Sequence, residues 1–332
     1  MTKISVIFIF LFYLSFTCNL PYCFGQNGGT ENYKPSDIGY NSIVKDADAN
    51  TIKDANGKLI TIQKPFTKII SLYGAHTENL FYLGLNSEII GVTKNESFPE
   101  EAKNKPVFSV QDDPEKFLGS DPDLVLIRPM IERGYPNLIK RLKKSGIEVI
   151  SLQPNTVDEM YEYWLTLGSL TGKKIEAKKM VQDFKEQIAI DKSEVNKIIV
   201  EKNIEPSRVY FEAIHSKMKT FTPGSMPLFA LETAGGVNVA TDAIASRGTN
   251  IGNYGKEKIL SHASEIDVFI AQNGVMNQVS VDIIKNESGF GIIKAVQNNK
   301  IYIIDEMIVS RPCFRLLDGI DEIRKILYNE YL

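Results

Sequence analysis

The chain has 332 residues, 43% hydrophobic and 24% charged, with a formal net charge of −3. That length provides for about two domains with full cores, and an acidic balance without a basic run excludes the footprint of a nucleic-acid-binding protein. Three cysteines, at positions 18, 23 and 313, exclude a disulfide scaffold.

Lys3 precedes an uncharged apolar run, Ile4 to Phe16, which is followed by Pro21 and by small or polar residues up to Gly25. The run is too short for a membrane span and has the layout of a signal peptide over 1–25. The chain is therefore expected outside the cytoplasm: periplasmic or extracytoplasmic. Cys18 and Cys23 lack the Leu-small-small run of a lipidation site, so a lipid anchor is not favoured. Loss of this segment would leave Cys313, which reads as a small buried apolar residue.

Residues 26–45 lack periodicity and read as a flexible tether. A first lobe is expected over 46–168. It opens with a hairpin, because Asn56-Gly57 lies between Thr51-Ile52-Lys53 and Leu59-Ile60-Thr61-Ile62 and is a two-residue turn signal. Strands are predicted at 68–72, 89–93, 124–128 and 147–152, with helices at 77–84, 115–119 and 135–144. Strands alternating with helices imply βα units and a mostly parallel sheet. A helix ending near Gly168 follows, then one long helix over 172–202 with Ala177, Met180, Val181, Phe184 and Ile188 at helical spacing. Such a helix is a stiff spine that limits hinge motion between lobes. The second lobe, 203–332, is predicted to open at Arg208-Val209-Tyr210-Phe211-Glu212, to place strands at 267–271 and 301–304, and to close with a helix over 316–328.

The two halves repeat one another about 140 residues apart. Glu115-Lys116-Phe117-Leu118 precedes Asp123-Leu124-Val125-Leu126-Ile127, as Glu257-Lys258-Ile259-Leu260 precedes Asp267-Val268-Phe269-Ile270-Ala271. A repeat this long exceeds a solenoid period and implies two similar α/β lobes with a ligand site between them. Ile69-Ile70-Ser71-Leu72, Thr77-Glu78-x-Leu80-x-x-Leu83-Gly84, Gly235-Gly236-x-Asn238 and Ala295-Val296-x-x-x-Lys300-Ile301-Tyr302 stand in the same order and spacing as in a known family. Over residues 46–332 the chain resembles the substrate-binding proteins of ABC importers for ferric siderophores, haem and cobalamin. The resemblance implies two Rossmann-like lobes joined by a single long backbone helix, with the ligand cleft between them. It also implies docking of one surface glutamate per lobe, here Glu115 and Glu257, onto the membrane permease, which works with an ATPase. Acids at these helix starts are also favoured by the helix dipole.

Ligands of α/β sheets bind beyond the carboxyl ends of the strands. That rule selects Tyr73, His76, Lys94, Asn95 and Arg128 in the first lobe, and His215, Lys217, Lys219, Arg247, Gln272 and Arg311 in the second. Together with Arg133 this set holds seven cations, of which two or three are expected to touch ligand. Arginine's planar fork suits carboxylates, catecholates and oxyanions, so an anionic chelate is favoured, most simply a ferric siderophore. The one tryptophan, Trp164, falls on the helix before the spine, which weakens a corrinoid reading without removing it, since Asn95, Gln111 and Gln272 could meet amide side chains. A bare zinc or manganese site needs three or four converging ligands, and His76 and His215 could at most face each other. Haem held by His76, His215, Tyr73 or Met218 stays open, as does an oxyanion. No motif of a serine hydrolase, P-loop, dinucleotide fold or zinc protease is present, and metal-cluster enzymes of related folds need several cysteines. The expectation is a non-enzymatic, monomeric binding protein without a cofactor of its own, whose ligand carries the metal.

Overall fold

The computed structural model describes residues 50–94, 96–246 and 249–331. The expected signal peptide and tether, with Cys18 and Cys23, lie outside the described residues, as do Asn95 and Arg247. Among the described residues no helix is long and apolar enough to cross a membrane.

The first lobe begins with an antiparallel hairpin, β1 (Thr51–Lys53) and β2 (Leu59–Thr61). Its turn is longer than the Asn-Gly signal implies, because the Asp54 side chain accepts from the backbone N–H groups of Asn56 and Lys58, both at 2.9 Å. A five-residue loop thus wraps one buried carboxylate. There follow β3 (Ile69–Ser71), α1 (Gly74–Tyr82), β4 (Ile89–Thr93), β5 (Val107–Phe108), α2 (Pro114–Gly119), β6 (Leu124–Ile127), α3 (Pro129–Gly134), α4 (Pro136–Lys144) and β7 (Glu148–Ser151). All five sheet strands are parallel, in the order β5-β4-β3-β6-β7. They are short apolar runs because helices cover both faces.

The helix α5 (Val157–Thr171) closes the first lobe, and one long helix, α6 (Lys174–Lys202), joins it to the second, as expected. Thr156 caps α5, its side chain accepting from the Glu159 N–H, and Gly172 ends it at φ 74°, a left-handed position that glycine takes without steric cost. The 29 residues of α6 span about 43 Å. Its buried stripe is Ala177, Met180, Phe184, Ile188, Asp191 and Val195, the three- and four-residue spacing of one helix face.

The second lobe contains β8 (Arg208–Ile214), β9 (Lys219–Phe221), α7 (Met226–Thr233), β10 (Val237–Asn238), β11 (Ile244–Ala245), β12 (Ile251–Asn253), α8 (Lys256–Ser261), β13 (Val268–Asn273), α9 (Val281–Lys285), α10 (Lys294–Gln297), β14 (Ile301–Asp305), α11 (Glu306–Val309) and α12 (Leu316–Tyr328). Its parallel part, β10-β8-β13-β14, repeats the order β4-β3-β6-β7 of the first lobe. The antiparallel strands β9, β12 and β11 are added on the outer side of β8.

Alternate strand residues enter different cores. Leu124, Leu126, Val209, Phe211, Val268 and Ile270 share one apolar cluster with α5, α6 and α12, a cluster that runs through both lobes. Val125 and Ile127, and likewise Tyr210 and Phe269, face separate outer cores. The lobes therefore share packed interior, not just a linker.

Candidate functional site

In each lobe the strand order reverses beside the central strand: between β3 and β6 in the first, and between β8 and β13 in the second. Loops leaving the carboxyl ends of such strands diverge and open a crevice. In the first lobe these loops carry Tyr73 and Arg128, and the structure brings the two together. The Arg128 guanidinium lies 4.4 Å above the Tyr73 ring, and its Nε donates to Gln153 Oε1 at 3.1 Å. A guanidinium stacked on an aromatic face and tethered at one nitrogen is pre-aimed, and its other donors have no hydrogen-bond partner among the described residues. Burial pushes the Tyr73 phenol up, against the opposing pull of Arg128, so it stays protonated and can donate.

In the second lobe, exposed Lys217 and half-buried Lys219 line a pocket of ≈ 620 Å³ with Ile244, Ala245, Ser246, Thr249 and Asn253. The β11–β12 hairpin forms its wall and reaches the first lobe, where Asn250 Nδ2 donates to the Asn155 carbonyl at 2.7 Å. The segment that tethers Arg128 through Gln153 thus also receives the pocket wall. Lys94 is exposed in the turn after β4. None of Lys94, Arg128, Lys217 and Lys219 has an ion-pair partner among the described residues. At the same strand ends large apolar side chains stand in solvent: Met130 (57% exposed), Ile244 (80%), Val275 (76%) and Met276 (55%).

Other expected contacts sit elsewhere. His76 is fully buried behind Tyr73, whose ring meets it edge-on at 5.1 Å. Its Nε2–H donates to the Ile127 carbonyl (3.1 Å), so Nδ1 accepts the Tyr163 hydroxyl (2.6 Å). Burial drives its pKa down to about 3. A histidine neutral when folded and ionisable when unfolded stabilises the fold fully above pH 6.5, and that stability is lost as pH falls towards 3. Between pH 8 and pH 4.5, His76 is expected to cost the wild type roughly 2–3 kcal/mol. Urea titrations of wild type and His76→Leu across that range check it: the variant should lack this part of the acid loss.

His215 is also drawn into its own lobe rather than facing His76. Nδ1 lies 3.0 Å from Glu212 Oε1, and Nε2 lies 3.4 Å from Glu287 Oε2, so the flanking carboxylates raise its pKa. Gln272 is fully buried; it donates to the Ala213 carbonyl (3.1 Å) and accepts from Ser310 Oγ (2.6 Å). Arg311 is committed to Glu78, 2.6 Å away across the lobe junction. Gly74 leaves room for this guanidinium, since a Cβ there would lie 2.4 Å from Arg311 Nη1. Cys313 is buried as expected, and Trp164 is fully buried. Among the described residues no three His, Cys, Asp or Glu side chains converge as a metal site.

Gln153, Asn155 and Glu78 escaped the sequence reading. The rule that selected Tyr73 and Arg128 also applies to the end of β7 and would have found the first two. Glu78 had a different signal, three consecutive polar residues, Thr77-Glu78-Asn79, inside an otherwise apolar helix.

The chain belongs to the periplasmic binding protein family, whose pattern matches residues 69–307. It is 25% identical to an uncharacterized ABC transporter substrate-binding lipoprotein, YvrC, of Bacillus subtilis, over 84% of this chain and 86% of that one. It is 21% identical to a vitamin B12-binding protein of Vibrio cholerae, over 79% and 90%. Among solved structures, a possible iron-binding (periplasmic solute-binding) protein of Staphylococcus epidermidis superposes with a TM-score of 0.66 at 28% identity, covering 80% of this chain and all of that one.

Proposed function

We propose that the chain is the extracytoplasmic solute-binding component of an ABC importer, and that it captures an anionic metal chelate of the ferric-siderophore type for delivery to a permease and its ATPase. The observation that carries this is the set of unpaired cations at the crevice, Lys94, Arg128, Lys217 and Lys219, in a protein that is acidic overall. Other cations at the lobe junction are neutralised, as Arg311 and Arg315 are by Glu78, so what sets these four apart is that they stand unpaired at the strand ends. Unpaired cations at a partly desolvated rim favour an anion, and the exposed apolar residues beside them favour one with an apolar body. The metal arrives inside the chelate, so the protein needs no ligand set of its own. The B12-binding relatives favour a corrinoid as the second reading; burial of Trp164 in the core leaves the crevice little aromatic surface for one.

A thermal-shift screen with ferric catecholate, hydroxamate and carboxylate chelates, haem and cobalamin tests this. A ligand at 100 times its Kd adds about 2.7 kcal/mol of stability. The Lys217→Glu/Lys219→Glu variant is expected to bind the anionic chelate at least tenfold more weakly, with a reduced salt dependence. A shift with cobalamin alone would replace the siderophore reading with the corrinoid one.

A further inference from the structure

Residues 96–99 follow β4 and cross to the second lobe. Ser97 Oγ donates to Met307 Sδ at 3.1 Å, and the Phe98 ring lies 4.2 Å from the Arg315 guanidinium. Glu96 immediately precedes them. Both of its carboxylate oxygens are shut off from solvent without a well-formed hydrogen bond. The charged groups that face it are Arg311, from the segment before α12, and Glu78, from α1; the Thr77 hydroxyl on α1, which already bonds Ser71 at 2.8 Å, adds little. Arg311 cannot neutralise it fully because that guanidinium is committed to Glu78, whose own charge opposes a second carboxylate.

Among the described residues, a weak hydrogen bond to sulfur and a ring–guanidinium contact tie the segment to the second lobe, while it carries a carboxyl group whose ionised form belongs in water. We propose that residues 96–99 are a proton-operated strap across the lobe junction: with Glu96 protonated the strap lies closed on the second lobe, and ionisation of Glu96 lifts it.

The direction follows from burial. Desolvation raises Glu96 from its usual 4.5 to about 7, so the closed strap retains the proton and the open one releases it. The bias towards closure is complete below pH 4.5 and is lost as pH rises to about 7, changing the opening constant by up to about 300-fold. Lys94 stands in the turn that leads into the strap, so lifting would shift one of the unpaired crevice cations. That consequence for binding rests on the function proposed above; the strap itself does not.

The test uses the ligand-free full chain with carbon-13-labelled methionine methyls. The Met307 signal is assigned through Met307→Leu and followed from pH 5 to 8.5. It is expected to move with rising pH towards the position of a solvent-exposed methionine, and to stay at its low-pH position throughout in Glu96→Gln. A wild-type Met307 signal that does not move overturns the strap, as does one that moves equally in Glu96→Gln. The remaining methionine signals report whether the variant is folded, and the wild-type titration stands without it. Because no ligand is present, this result is independent of the chelate screen.

Discussion

Replacing Glu78 with alanine is expected to cost about 3–5 kcal/mol of stability, among the largest effects available to a single substitution outside the apolar core. The Glu78 side chain is 3% exposed and holds two arginines at once. Arg311 Nη1 lies 2.6 Å from Oε1, while Arg315 Nε and Nη2 lie 2.8 and 3.1 Å from Oε2 and Oε1. Removing it strands two guanidinium groups in a junction where their side chains are 17% and 19% exposed. The same junction seats the Pro312 carbonyl, which accepts from Asn79 Nδ2 (2.9 Å) and Trp164 Nε1 (3.3 Å). The loss should therefore spread to both lobes. Exchanging Glu78, Arg311 and Arg315 together for apolar residues of similar length should cost far less, because no charge is then left buried alone. An exposed pair such as Lys68–Asp121, at 51% and 84% side-chain exposure, should cost under about 1 kcal/mol when broken. Urea unfolding of the three variants separates these outcomes. A Glu78→Ala chain within 1 kcal/mol of wild type would mean that water or Glu96 replaces the carboxylate, and that the junction is not held by this cluster.

What was legible in the sequence is what short-range physics fixes. Buried parallel strands are apolar runs, so β4 matches its predicted span of 89–93, and α12 its span of 316–328. The spine is an uninterrupted helical pattern; the helix before it, expected to end near Gly168, instead runs on to Thr171 and stops at the left-handed Gly172. What was not legible depends on partners far along the chain. Glu78 and Arg311 are 233 positions apart, and nothing local distinguishes Arg311, paired across the junction, from Lys217, which has no ion-pair partner among the described residues. His76 and Gln272 obey the strand-end rule, yet their side chains turn inward to satisfy buried carbonyls and hydroxyls. The β9, β11 and β12 additions were missed because strands of two or three residues carry no periodicity. The pocket they wall was therefore seen only as isolated basic residues.

The repeat leads to the second large effect. Glu115 and Glu257 each occupy the first turn of a six-residue helix, α2 and α8, which feeds the corresponding strand, β6 or β13. Both are exposed; Glu115 (66% side-chain exposure) touches Arg141 at 3.2 Å, a surface pair worth at most about 1 kcal/mol, which a stronger partner displaces. The docking role proposed for these two equivalent acids, one on each lobe, would be a two-point contact in which each enters a basic pocket of the permease. Reversing both charges puts like charges together at each point, at a cost of several kcal/mol apiece. Glu115→Arg/Glu257→Arg is therefore expected to abolish uptake of labelled chelate by cells. Chelate affinity of the isolated protein should be unchanged, because neither residue lines the Lys217–Lys219 pocket, and stability should fall only by the helix-dipole effect, about 0.3–1 kcal/mol per site. Uptake that persists would remove the docking role from these glutamates. Weakened chelate binding would place them at the ligand instead. The helix dipole alone would account for an acid at either site; it gives no reason for the two acids to act together on transport.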